Sequence, residues 1–253
     1  MDMDLRDEFS RLWAGHFNGA EMPICFYYTD EPDPAPLPSV RGHVCIIGQL
    51  ARVRRGETLC FDRDAVGCFG GKRYLGFTQE VSPDFAHFLS CGIPGRVEGE
   101  RYKKSPEIVR QAFDNVEPFV APARYVIFKR WDRLEAGDDP AVVIFFATPD
   151  VLSGLFTLAG FDETDPNAVE APFGAGCATI ARYPYLEKDS EHPKAFIGMF
   201  DVSARPFVPP GVLTFAVPIA KFARMVANIP ESFLTTASWA KVRARIAGQS
   251  AGG

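Results

Sequence analysis

Residues Ala141-Val-Val-Ile-Phe-Phe-Ala-Thr148 decide the fold. The run is β-branched and aromatic, the composition that suits a pleated strand. Successive strand side chains point to opposite faces, so an uninterrupted apolar run leaves no face for water. Such a strand belongs in the middle of a sheet that is covered on both sides. Pro149 to Leu158 follows at once and reads as a helix with proline in its first turn. Tyr125 to Trp131 is the other clear strand. The reading is a single α+β domain over residues 1–253, with a mixed β-sheet centred on Val142 to Phe146 and helices on both sides.

Working outward, Leu5, Phe9, Leu12 and Trp13 recur at helical spacing and predict an amphipathic helix from Leu5 to Phe17. Pro23 to Tyr28 reads as a strand. The four prolines of Asp30 to Pro38 predict a surface loop. His43 to Val53 reads as a helix stopped at Gly56, with Cys45 in its first turn, and Glu57 to Asp62 as a strand. Pro83 to Leu89 is a short helix. Ser105 before Pro106 is a helix cap, predicting a helix to about Val116. Strands are expected at Ala168 to Phe173, Lys194 to Phe200 and Val212 to Val217. Helices are expected at Ile219 to Ala227 and Phe233 to Ile246, with Ala251-Gly-Gly fraying. The order helix, short strand, then glycine and cysteine occurs in His43 to Cys68 and again in Pro149 to Cys177, which suggests two weakly similar halves.

The chain has 253 residues, 47% of them apolar and 23% charged, with a formal charge of −5. Lysine and arginine are scattered, so nothing attracts nucleic acid as a class. No run approaches a membrane helix, and the first residues lack the build of a secretory signal, so a cytoplasmic protein is expected. In that setting the six cysteines read as thiols or ligands. No Cys-x-x-Cys occurs and the histidines are dispersed, which leaves no zinc ribbon or ferredoxin motif.

Chemistry concentrates in Ala65-Val-Gly-Cys-Phe-Gly-Gly-Lys-Arg-Tyr-Leu-Gly-Phe77 and Phe173-Gly-Ala-Gly-Cys-Ala-Thr-Ile180. Each joins a cysteine to glycines that let a ligand approach the main chain. Gly70, Gly71 and Gly176 would offer backbone N–H groups to an anionic cofactor, and Lys72, Arg73 and Arg205 would supply charge. Tyr74, Phe77, Tyr183 and Tyr185 could line a flat cofactor's pocket or simply pack in the core. Asp201-Val-Ser-Ala-Arg205 follows a strand end, where an Asp–Arg pair or a functional loop would each account for it.

Six motifs in order resemble a known family: Cys68 to Phe77, Glu100 to Glu107, Ala147 to Leu152, Gly174 to Cys177, Gly198 to Arg205 and Glu231 to Leu234. Over about residues 20–245 they look like domain-of-unknown-function family 169, whose name implies no activity. The resemblance implies that Cys45, Cys68 and Cys177 stand where relatives carry cysteine, and that Cys25, Cys60 and Cys91 are incidental. Some relatives carry a further cysteine near Phe200 or Asp201, which this chain lacks. Three chemistries follow. A metal ion or iron–sulfur cluster would sit on Cys45, Cys68, Cys177 and Asp201, with His43 or an outside ligand as another way to complete it. A small anionic metabolite would bind without metal. Cys68 or Cys177 would act as a nucleophile with His43 as base. The expected partner is a small molecule or cofactor, not nucleic acid or membrane, with a homo-oligomer left open.

Overall fold

The structure is a computed structural model and describes residues 2–250. Its strands are β1 (Ile24–Thr29), β2 (Leu59–Phe61), β3 (Tyr125–Arg130), β4 (Val142–Ala147), β5 (Val169–Glu170), β6 (Ala195–Gly198) and β7 (Leu213–Pro218). Its helices are α1 (Met3–His16), α2 (Ile46–Arg54), α3 (Phe69–Tyr74), α4 (Phe85–Phe88), α5 (Pro106–Asp114), α6 (Pro149–Ala159), α7 (Tyr183–Leu186), α8 (Ile219–Asn228) and α9 (Ala237–Ser250). The strands form one seven-stranded sheet in the order β2-β3-β1-β4-β7-β6-β5. Only β5 and β6 pair in parallel, so the sheet is mixed and the domain α+β.

Strand β4 lies at the centre, as its sequence requires. Val142, Ile144 and Phe146 join one core with Ile46, Leu50 and Val53 of α2. Val143, Phe145 and Ala147 join the other with residues of α1, α6, α8 and α9. Strand β4 pairs with β7 through six residue pairs but with β1 through only three, Ile24–Ile144, Cys25–Val143 and Phe26–Val142. That short seam is where the β2-β3-β1 half of the sheet meets the rest.

Local signals act as read. In α1, Asp2 caps the amides of Asp4 and Leu5, and the apolar stripe Phe9, Leu12 and Trp13 is buried. At α5, Ser105 Oγ accepts from the Ile108 amide at 3.4 Å and Pro106 opens the helix. The loop after β3 is fixed by a buried ion pair, Lys129 to Asp138 at 2.8 Å, to whose carboxylate the Tyr27 hydroxyl also donates. Buried charges persist when paired and hydrogen-bonded in this way.

Two expectations change. Helix α2 begins at Ile46, not His43, and Cys45 is its extended N-cap residue. Residues before it run alongside the chain leading to Cys68, with Val40 N–H donating to Asp64 O at 3.2 Å and Val44 N–H to Gly67 O at 3.3 Å. Those backbone bonds compete with the first helical turn. The two units of like order are not copies, since α2 packs on one face and α6 on the other. Strand β2 pairs antiparallel at one sheet edge, β5 parallel at the opposite edge. Ala251-Gly-Gly lies outside the described residues.

Candidate functional site

The two Gly-Cys segments meet on the α2 face of the sheet. Past β2, the Asp62 carboxylate accepts from the amides of Asp64 and Ala65 and turns the chain. Cys68 then caps α3, its sulfur accepting from the Gly71 amide at 3.3 Å. A Cβ on Gly71 would lie 2.8 Å from that sulfur, so only glycine allows the approach. The parallel run of residues 40–44 beside 64–67 carries Cys45 to Cys68.

Cys177 arrives from the other half of the chain. The Gly176 amide donates to Asp201 at 3.2 Å, and Thr179 Oγ1 donates to Gly176 O at 2.9 Å. After Cys177 the helix widens into a π-helical turn, Ala178–Arg182, a rare conformation that recurs at functional sites. A Cβ placed on Gly70 would sit 3.6 Å from Cys177 Sγ, so the start of α3 passes directly over it. Met199 beside this turn is fully buried yet has φ of 70°, backbone strain of the kind that gathers at functional sites. A Cβ on Gly176 would meet its sulfur at 2.9 Å.

The three thiols differ electrostatically. Cys45 is half-buried, and its pKa is lowered to about 6 by a hydrogen bond from the Cys68 thiol, against burial, with help from the Ile47 and Gly48 amides and His43. Cys68 is pushed up, first because its proton is held in that bond, then by burial and by Cys177. Cys177 is pushed up by burial, then by Cys45 and Asp201. Of the three thiols, the one whose pKa is lowered is thus Cys45, two residues after His43, and not Cys68 or Cys177.

The metal set does not assemble as ligands. Among the described residues no group of three or more His, Cys, Asp or Glu side chains is placed to hold a metal ion. Asp201 is instead a brace, accepting from the Gly176 amide, the Ser203 amide and the Ser203 hydroxyl. It forms no ion pair with Arg205, whose side chain turns to Val212 O. Gly176 uses its amide on Asp201. Arg73 reaches Gln79 O at 2.9 Å. Tyr185 packs with Tyr28 and Phe119, an aromatic cluster and not a cofactor wall.

Cys25 and Cys60 are core residues and Cys91 is exposed. A cavity of about 540 Å³ lies within the loop from Cys91 to Arg101 and is lined by none of Cys45, Cys68 and Cys177. Over the Cys177 segment lies a strap: Tyr102 accepts from the Ser203 amide at 3.0 Å, and Lys103 sits 4.1 Å over the Phe173 ring. The sequence reading missed Arg182, a buried guanidinium five residues beyond Cys177. Its position in an apolar helical run was the available signal. Among the described residues no helix is long and apolar enough to cross a membrane.

No curated protein and no solved structure matches the chain significantly. The paired Gly-Cys segments, the strap and all the ordered motifs but Glu231 to Leu234 fall inside residues 17–228, which match the sequence profile described as uncharacterised ArCR: the chain belongs to domain-of-unknown-function family 169.

Proposed function

We propose that the protein exchanges thiols with disulfides, with Cys45 attacking and Cys68 resolving. The observation that supports this reading is the placement of Cys45 and Cys68, the N-cap residues of α2 and α3, next to each other beyond the Val44–Gly67 backbone bond, with the Cys45 pKa lowered to about 6. Thiolates are the attacking species, and a helix N-terminus with a neighbouring donor favours them. The Cys45 thiolate attacks one sulfur of a disulfide R–S–S–R, forming a mixed disulfide and releasing R–S⁻. The charge that held the Cys68 proton is then gone, while the amides of Ile46 and Gly71 remain to favour a Cys68 thiolate. Cys68 loses its proton to solvent and attacks Cys45 Sγ, releasing the second R–S⁻ and leaving a Cys45–Cys68 disulfide. Two electrons pass to the substrate. A cytoplasmic reductant of the dithiol class would close the cycle.

The metal or iron–sulfur reading has one observation in its favour, the convergence of Cys177 as a third thiol. It requires Cys68 and Cys177 to give up their protons and the side chains to rearrange into ligand positions. One experiment separates the two. Anaerobically prepared protein is analysed for metal, then treated with a limiting neutral disulfide and mapped by mass spectrometry. Exchange predicts a Cys45–Cys68 disulfide in the native chain and a stable mixed disulfide on Cys45 in Cys68→Ser. Stoichiometric metal that is lost in Cys177→Ser, with Cys45 unreactive, would replace exchange by metal binding.

A further inference from the structure

Beside the thiols stand two arginines without an ion pair among the described residues, Arg182 and Arg73, the latter donating to Gln79 O and lying 5.4 Å over the Phe113 ring. Arg182 is only 6% exposed, yet among the described residues its side chain makes a single hydrogen bond, from Nη2 to the backbone carbonyl of Glu117. Among the described residues no carboxylate lies within ion-pair distance of Arg182, nor of Arg73. The Glu117 carboxylate acts on Arg182 only from a distance. Burial of a charge is costly unless it is paired. The other buried cations follow that rule, Lys129 with Asp138 and Lys221 with Glu163 at 2.8 Å each. Arg182 departs from it. A strut to one carbonyl needs a single N–H, and a guanidinium has five.

What surrounds Arg182 suits a negatively charged guest. Its guanidinium lies 5.3 Å over the Tyr183 ring, which leaves the planar fork a fixed orientation. Tyr74, Tyr183, Arg73, Arg182 and Cys177 form one electrostatic neighbourhood. The Tyr74 and Tyr183 hydroxyls make no hydrogen bond to the protein among the described residues. Gly70 and Gly174 border the two rings: a Cβ on Gly70 would stand 3.9 Å from the Tyr74 ring and 3.6 Å from Cys177 Sγ, and one on Gly174 would stand 3.5 Å from the Tyr183 hydroxyl. Burial, opposing the charge, lowers the Arg182 pKa, and an anion would relieve that opposition.

We propose that Arg182, with Arg73 and the hydroxyls of Tyr74 and Tyr183, is a carboxylate-binding subsite next to Cys177. Arginine is suited to the role because its fork meets a carboxylate through two parallel hydrogen bonds. Resting on the exchange reading above, the substrate class becomes a small disulfide or thiol carrying carboxylates, held by its acid group while its sulfur faces Cys45. The anion site itself does not depend on exchange.

Two measurements test it. Binding of glutarate to Cys45→Ser, which cannot exchange, is followed by calorimetry. Saturable binding is expected, weakened at least tenfold by Arg182→Gln and by Arg73→Gln, and largely retained in Arg182→Lys. Second, native protein is reacted with a dicarboxylated aromatic disulfide, 5,5′-dithiobis(2-nitrobenzoate), and with neutral 2,2′-dithiodipyridine. With the neutral reagent as reference, the carboxylated reagent should gain at least fivefold in relative rate, and Arg73→Gln should erase that gain. Arg73 is partly exposed, so its variant folds even if Arg182→Gln does not. Absence of saturable glutarate binding, or affinity unchanged in both arginine variants, overturns the subsite. Glutarate binding that depends on the arginines, with neither disulfide reacting at Cys45, upholds the subsite and overturns exchange.

Discussion

At the scale of the residue, Cys45 and Cys68 carry the same side chain and each begins a helix, but their surroundings divide one proton between them unequally. Cys45 is the more open, has amide donors and His43 on its side, and keeps the charge; Cys68 supplies the proton. The folded value of about 6 lies below the ordinary 9.0. A depressed pKa means that the thiolate's contribution to stability is complete above the ordinary value and is lost as pH falls through about 6. Alkylation of Cys45 by iodoacetamide should therefore show a midpoint near pH 6. Cys68→Ala, which removes the donor, should move that midpoint toward the ordinary thiol value, whereas Cys68→Ser keeps a hydroxyl donor and the low midpoint. A midpoint unchanged in Cys68→Ala would mean that the helix start alone sets the acidity. The sequence made Cys68 and Cys177 conspicuous through their glycines. It could not tell which thiol bears the charge, because that depends on amides and on a neighbour distant in the chain. Arg182 stood out only as a charge inside an apolar run, and its burial depends on a turn that the sequence does not announce.

Elements were legible wherever a local signal was unopposed. Ser105-Pro106 set α5, and the unbroken apolar run set β4. Where two local preferences competed, backbone pairing prevailed, and α2 starts three residues later than its periodicity predicts. Helix α6 illustrates how close packing overrides intrinsic preference. Gly154 lies in its middle, where alanine would favour the helix by about 1 kcal/mol. A Cβ there would stand 2.5 Å from the Trp239 ring and 2.8 Å from Phe17. Overpacking of that kind costs about 1–3 kcal/mol, so contact outweighs propensity. Gly154→Ala should lower stability by about 1 kcal/mol or more in urea melts. A stabilised variant would show that α6 and α9 have room to separate. The π-helical turn after Cys177 had no sequence signature; it lies beside the Asp201 brace and the tight approach of Gly176 to Met199, contacts between residues far apart in the chain.

For the whole molecule, the reading from β4 gave the layers correctly because a strand apolar on both faces has one place to go. Strand order was not accessible, since it depends on pairings far apart in the chain. If the chain is one cooperative unit, Phe145→Ala in the central strand should cost about 3–5 kcal/mol. Tryptophan fluorescence and Cys177 labelling should still report a single transition in urea. Two separated transitions would mean that the sheet comes apart at the three-pair contact between β1 and β4. That contact has a bearing on the thiols. Cys45 and Cys68 belong to the part of the fold built on β1, β2 and β3, while Cys177 and Arg182 belong to the part built on β5, β6 and β7. A guest gripped by both acts as a clasp across the three-pair join of β1 and β4. At a hundred times its dissociation constant it would add about 2.7 kcal/mol against unfolding. Heat resistance gained in its presence thus becomes a way to recognise the guest before any chemistry is known.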